Sequence, residues 1–266
     1  MVDFHYANSY KMEDLLRIME LLRAPDGCPW DREQTHQSIR RNMLEEAYEV
    51  AEAIDQQDPA HLKEELGDVL LQVVFHARMA EEAGQFTFDD VVDGICKKLV
   101  FRHPHVFGGV DARDSDKALT TWEEQKKAEK GQKTAGDTLD AVARSLPALM
   151  RAEKLQDKAR KAGFDWKETG PALDKLSEEV GELRQAVEQG TNPQEELGDV
   201  LFAAVKVGRF LGVDSELTLH AACEKFIGRF RNMEALAGGS LEGLDLPRLE
   251  ELWCQAKEQE HAQTRT

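Results

Sequence analysis

A chain of 266 residues exceeds one typical domain and has the material for one large core or two smaller ones, two being the better expectation. Hydrophobic residues at 41% against charged residues at 32% fit charged helices around an apolar interior and leave little room for disorder away from the ends. The formal charge of −17 argues against nucleic acid polymers as partners, so a phosphorylated small ligand would have to meet local cations or metal ions.

Cys28, Cys96, Cys223 and Cys254 form no CxxC pair in a chain too large to need disulfide staples, which predicts a reducing, cytoplasmic setting. The opening residues, MVDFHYANSYKMEDLL, lack the basic start and apolar core of a signal peptide. No apolar run reaches membrane-spanning length, so no membrane partner is expected.

In chain order, Trp30 stands in GCPWDREQT ahead of an acidic motif, Glu45, Glu46 and Glu49. Asp58 with Pro59 supplies an N-cap and a first-turn proline, and Gly84 closes the apolar stretch that follows, predicting a helix of about six or seven turns. Inside it lies EELGDVL, residues 64–70. Thr87 before Phe88, Asp89 and Asp90 opens a further helix that carries Lys98 and Arg102 and stops at Pro104. Trp122 and Lys126 follow. Residues 131–140, GQKTAGDTLD, carry turn residues without helical periodicity and predict the junction between two modules, 1–131 and 137–266.

The second module restates the first. Ser145 with Pro147 predicts its first helix, and Trp166 precedes Lys175 and a second acidic motif, Glu178, Glu179 and Glu182. Asn192 with Pro193 opens a helix that Gly212 ends, and residues 195–201 read EELGDVL again. Lys225 and Arg229 repeat Lys98 and Arg102, Cys223 repeats Cys96, and Trp253 with Lys257 repeats Trp122 with Lys126. Five features in one order are an internal duplication. Its shared letters are mostly charged, whereas a packing repeat would share apolar ones, so the duplication points to a site. Sparse β-branched residues and the absence of period-two alternation predict an all-α fold, two tandem related helical bundles of about four or five helices each.

Residues three and four apart share a helix face, so Glu46 points with Glu49, Glu65 with Asp68, Glu179 with Glu182, and Glu196 with Asp199. Alone, such pairs are solvated faces more often than sites. Here Asp68 and Asp199 lead into stretches apolar nearly all round, where desolvation and like-charged neighbours oppose ionisation and a divalent cation resolves the conflict. Gly67 and Gly198, costly inside a helix by about 1 kcal/mol, are expected to mark a close approach of backbone or ligand. Oxygen-only ligands favour Mg²⁺, with Mn²⁺ the alternative, over zinc. Two ExxH matches, Glu33 with His36 and Glu258 with His261, lie outside the repeated frame and do not support a di-iron bundle. The His103, Pro104, His105 run occurs once and is expected to be a loop.

The order EExxE, ExxD within EELGD, KxxxR and then tryptophan resembles the MazG family of all-α nucleoside triphosphate pyrophosphohydrolases, through both copies and nearly the whole chain. GCPWDREQT and RHPHVF resemble segments of the tandem form. The resemblance implies Mg²⁺ on Glu179, Glu182, Glu196 and Asp199, these four being the catalytic acids, with Glu46, Glu49, Glu65 and Asp68 as their counterparts. It implies phosphate contacts from Lys175, Lys225 and Arg229, and closure on the nucleotide by Trp253 and Lys257. Glu178 and Glu195 flank the same nucleotide site, and Lys98, Arg102, Trp122 and Lys126 are the first-copy equivalents of the basic and aromatic set.

The implied reaction is attack of water on an NTP or dNTP to give the monophosphate and pyrophosphate. Beyond Cys96 and Cys223, no Ser, Cys or His recurs in the repeated frame, and the reaction needs no such nucleophile. A nucleotide sensor without turnover, or a narrow dNTP or phosphoribosyl-ATP hydrolase, are the competing readings. Small modules leave a site incomplete, so a homodimer is expected. Lys175 aligns with Asn42 of the first copy, and Lys63 with Gln194 partly offsets this, so the second module is expected to be the stronger catalyst.

Overall fold

The computed structural model describes residues 4–109 and 114–263, without the side chains of 261–263. Contacts divide the chain into two compact units, Met1–Lys126 and Lys127–Thr266. All regular secondary structure among the described residues is helical. The first unit is built from α1 (Met12–Arg23), α2 (Pro29–Glu33), α3 (Arg40–Asp55), α4 (Pro59–Glu82), α5 (Phe88–Arg102), α6 (Pro104–Phe107) and α7 (Ser115–Glu129), whose last residues pass into the second. The second adds α8 (Ala135–Asp140), α9 (Ala148–Lys161), α10 (Thr169–Gln189), α11 (Pro193–Leu211), α12 (Ser215–Leu236) and α13 (Leu246–Gln263).

Local chemistry sets most of these boundaries. The Asp58 carboxylate accepts from the N–H groups of Ala60 and His61 at 2.9 and 3.1 Å, and Pro59 takes the first helical position, where a missing N–H costs nothing. Thr87 and Asp90 form a reciprocal capping box at the start of α5. Gly212 ends α11 in the left-handed conformation, φ 68°.

Three local expectations are corrected. Residues 135–140, read as turn, form α8, because Thr134 and Asp137 make a capping box that six residues are too few to announce by periodicity. Residues 104–107, read as a loop, form the single-turn α6 behind Pro104. Ser145 does not cap: Pro147 holds the N-cap position of α9, with no side-chain cap bond.

In each unit one helical hairpin dominates, α3 on α4 and α10 on α11. The connections, residues 56–58 and 190–192, are so short that each partner folds straight back. The second turn places Gly190 at φ 66°, whereas the first places Gln57 at φ 55°, a conformation that costs a side-chain-bearing residue about 1–2 kcal/mol. Around the first hairpin Met19, Ile39, Val74, Phe75 and Met79 form a buried core that joins α1 to α4. In the second unit Met233, Leu252 and Ala256 lock α12 to α13, with Trp253 packed on them. Truncating Leu252 to alanine there removes about 2–5 kcal/mol.

The expectation that the EELGD helices are enclosed all round is also corrected. Leu197, Leu201 and Phe202 of α11 stay about half exposed, and Val92, Ile95 and Leu99 of α5 and Phe226 and Phe230 of α12 are exposed as well. The chain has more apolar helix surface than its own elements cover.

Candidate active site

The hairpins explain why two acidic motifs stand so far apart in the chain. Glu46 and Glu49 lie on α3 and face α4, which carries Glu65 and Asp68; carboxylate oxygens of Glu46, Glu49 and Glu65 come within 4.8 Å of one another. On α10 and α11 the gathered trio is Glu179, Glu196 and Asp199, within the same limit. The fourth acid of each set stays close electrostatically. Asp68 raises the Glu46 and Glu65 carboxyls, and Glu182 shares a hydrogen bond with Glu179.

The two clusters carry their charge differently. Burial, then repulsion from Asp68 and Glu49, pushes the Glu46 carboxyl above the ordinary glutamate range. Glu65, buried on α4, is raised by burial and by Glu49, against the pull of His61, whose Nε2 lies 3.0 Å from Glu65 Oε1. Its Oε2 is buried with no hydrogen-bond partner. In the second unit Lys175 Nζ lies 2.7 Å from Glu178 Oε1 and 2.9 Å from Glu179 Oε1. The hydrogen bond from Lys175 pulls Glu179 below its ordinary value despite burial, and Glu179 in turn raises Glu182. Within the pair Lys175 favours charge on Glu179, and that charge disfavours ionisation of Glu182.

Both clusters are oxygen-only, crowded and partly desolvated, and Glu65 has an orphaned acceptor. Such a donor set suits a hard divalent cation.

A cavity of about 500 Å³ opens over the second cluster. Glu179, Asp199 and Lys175 line it, and Phe164, Trp166 and Phe202 supply apolar wall. Two further lining residues, Asp165 and Lys206, belong to an ion cluster with Arg209. Lys206 Nζ lies 2.7 Å from Asp165 Oδ1 and an Arg209 nitrogen 2.5 Å from Oδ2, with all three side chains nearly buried. Desolvation alone would raise Asp165, but the hydrogen bonds from Lys206 and Arg209 outweigh it and hold the carboxyl below its ordinary value. Lys206 also stands 5.3 Å from the centre of the Trp166 ring.

The remaining sequence-predicted residues gather elsewhere. Arg229 pairs with Glu260 and lies 6.0 Å from the Trp253 ring, which packs on Phe226; Lys225 and Lys257 are exposed on the same helix pair. The described lining of the cavity takes nothing from α12 or α13. In the first unit Arg102 and Lys126 both approach the Trp122 ring, at 5.4 and 4.7 Å, Arg102 being buried and Lys98 exposed. Glu195 accepts from the Asn192 side chain at the start of α11.

Gly67 and Gly198 are a correction. A methyl group at either would meet nothing within 4 Å, so no close packing inside the chain demands glycine there. Of the ExxH pairs, His36 stacks on His76, Nδ1 to Nδ1 at 2.8 Å, and the His261 side chain lies outside the described residues. Asp165, Lys206 and Arg209 are missing from the sequence reading. Their signals were a lysine in the apolar run LFAAVKVGRFL and the parallel between GFDW, 163–166, and GCPW, 27–30.

Comparison with known proteins agrees with this geometry. The MazG nucleotide pyrophosphohydrolase domain matches residues 34–107 and 171–233, the two stretches that carry the acidic hairpins. The chain is 47% identical over 258 residues to the nucleoside triphosphate pyrophosphohydrolase of Escherichia coli K12, covering 94% of this chain and 98% of that protein. It is 45% identical over 248 residues to the nucleoside triphosphate pyrophosphohydrolase/pyrophosphatase MazG of Thermotoga maritima, covering 92% and 95%. A crystal structure of a mazG-related protein from Thermotoga maritima aligns over 43% of this chain and 98% of its own, at 30% identity and a TM-score of 0.38. With two matched segments and near-complete coverage of such relatives, the chain belongs to the MazG nucleotide pyrophosphohydrolase family.

Proposed function

We propose that this chain hydrolyses nucleoside triphosphates, ribo or deoxy, to the monophosphate and pyrophosphate, with the C-terminal unit as the stronger catalyst. The observation that carries the reading is the cavity in which Glu179, Asp199 and Lys175 share one space with an aromatic wall, a combination suited to a triphosphate at one end and a base at the other. Relatives matched over nearly their whole length bear the name nucleoside triphosphate pyrophosphohydrolase.

Glu179, Glu182, Glu196 and Asp199 would hold the divalent cation, Mg²⁺ first and Mn²⁺ as the alternative. When bound it neutralises triphosphate charge and activates water. The chain's own groups do the rest. Lys175 sits over Glu179 and can transfer its hydrogen bonds to phosphate oxygens as the acids are engaged. Lys225 and Arg229 add positive charge for the leaving pyrophosphate, and Trp253 with Lys257 closes on the nucleotide as α12 and α13 approach it. Glu178 and Glu195 orient their basic and polar neighbours. Among the described lining residues there is no serine, cysteine or histidine, which supports direct attack by water without a covalent intermediate.

The partner is a second copy of the chain. The exposed apolar faces of α5 and α12 match what an all-helical dimer core would bury. Four unpaired cysteines suit a cytoplasmic setting, and no described helix is long and apolar enough to cross a membrane. The net charge of −17 disfavours nucleic acid polymers as ligands.

Incubating purified protein with an NTP and dNTP panel and Mg²⁺, and separating products by ion exchange, tests the reaction. The expected products are monophosphate and pyrophosphate in one step. Orthophosphate with a diphosphate would overturn the reading.

A further inference from the structure

The cavity of the C-terminal unit contains a feature that metal binding and phosphate contact do not use. Asp165, in the loop between α9 and α10, meets Lys206 and Arg209 from α11. One carboxylate draws two cations at the wall of the cavity, on the side of Phe164, Trp166 and Phe202, and Arg209 also faces Glu153. Burying charge there is costly, and a single Asp–Arg pair would suffice to pin the loop. Lys206 is the surplus group. By the register of the EELGDVL repeats it stands where the first unit has Phe75, a core residue, and by the register of GFDW on GCPW, Asp165 stands where the first unit has Pro29. The pair is an addition made by one copy only.

Its geometry suits a specific partner. Asp165 Oδ1 accepts from Lys206 at 2.7 Å and from the Trp166 backbone N–H at 2.9 Å; Oδ2 accepts from Arg209 and keeps acceptor capacity to spare. An ammonium has three donors and no acceptor. The wall therefore presents a fixed donor directly beside a fixed acceptor, within reach of a flat group held among Phe164, Trp166 and Phe202.

Resting on the reading of this cavity as a nucleoside triphosphate site, we propose that Lys206 and Asp165 read the base and select those with a lactam edge, a carbonyl oxygen next to a ring N–H. Uracil, hypoxanthine and guanine carry that edge. Their carbonyl accepts from Lys206 while the N–H donates to Asp165. Adenine and cytosine present the reverse, an amino donor beside a ring acceptor, which would set donor against ammonium and lone pair against carboxylate. Because both side chains are nearly buried, water cannot cheaply relieve the mismatch. Arg209 acts as a positioning residue that holds Asp165 in register.

The test compares bases that differ only at this edge, ITP against ATP and UTP against CTP, on the full-length protein. The expected kcat/KM preference is about ten- to hundredfold for ITP and UTP, as for other paired readings of a base edge. Ratios within about twofold of one in both pairs overturn the proposal. Lys206→Met should bring the preferred member of each pair down to its partner. Lys206→Gln, whose amide both donates and accepts, is the second variant should the first not fold, and should bring both ratios close to one. A folded variant that keeps the full preference overturns the assignment to Lys206. If no nucleotide yields monophosphate and pyrophosphate, the catalytic reading has failed, and calorimetric binding of IMP against AMP decides this one. Tighter IMP supports it and equal affinity overturns it.

Discussion

The two units carry the same four acids on the same kind of hairpin and surround them differently. In the first, Glu46 and Glu65 are both held above the ordinary range by burial and mutual repulsion, with His61 as the basic neighbour of Glu65. In the second, Lys175 holds Glu179 below its ordinary value, and a loop acid, Asp165, is tied to Lys206 and Arg209 of α11, with proline and phenylalanine standing in the first unit where Asp165 and Lys206 stand here. Where the second unit spends charged residues on an open cavity, the first uses Phe75 to build core and stacks Arg23 on it at 5.4 Å. Duplication thus preserved the four acids while the surroundings diverged, one copy towards packing and the other towards a pocket.

The largest expected effect comes from removing an acid on one side only. Glu196→Gln or Asp199→Asn should lower kcat for pyrophosphate release by at least about a hundredfold with the fold intact by circular dichroism, since even residues that merely support a metal's ligands cost up to that much. Glu65→Gln or Asp68→Asn should leave more than half of the activity. Equal losses on both sides would make the two units equivalent catalysts and remove the asymmetry.

The next effect is on stability. Asp165→Asn strands Lys206 and Arg209 without their carboxylate and should cost about 2–4 kcal/mol in denaturant unfolding near neutral pH. The folded-state value of Asp165 lies below its ordinary 3.8, so its contribution is complete above that value and lost as pH falls through the lower one. The gap between wild type and variant should hold steady from neutral pH down to about 5 and close in strong acid. A gap that closes on moving to alkaline pH would contradict a depressed carboxyl.

These contrasts also mark what could be read from the chain alone. The acidic motifs, their pairing by face and the bounds of α4, α5 and α11 were legible, because caps, prolines and the 3.6-residue period act locally. Asp165 with Lys206 was not, because 40 residues separate a loop aspartate from a helix lysine and each by itself reads as a solvated charge. For Gly67 and Gly198 the expectation of close backbone packing fails for a related reason: glycine in a helix signals a missing side chain without saying whether a neighbour in the chain or open space lies above it. Asn192 was placed correctly at the start of α11, yet its side-chain amide donates to Glu195 and its oxygen accepts no backbone N–H as a cap would, a choice between local partners that spacing does not settle.

The smallest expected effect is the one that isolates Lys175. Two roles compete for its ammonium, neutralising Glu179 and holding a phosphate oxygen, and both draw on the same three donors. If neutralisation were all, Lys175→Asn would act through metal affinity and would be overcome by raising the Mg²⁺ concentration. If the phosphate contact matters, saturating Mg²⁺ should leave a residual rise in KM of about tenfold, the worth of one charge-assisted hydrogen bond over a neutral one. The reciprocal change, Asn42→Lys, should lower KM in the first unit when measured in a Glu196→Gln background that silences the second. Measuring KM across an Mg²⁺ series for both substitutions separates the two roles. A KM for Lys175→Asn that returns to within twofold of wild type at saturating Mg²⁺ would assign the lysine to the carboxylates alone, and the asymmetry between the units would then have to rest on the Asp165 cluster.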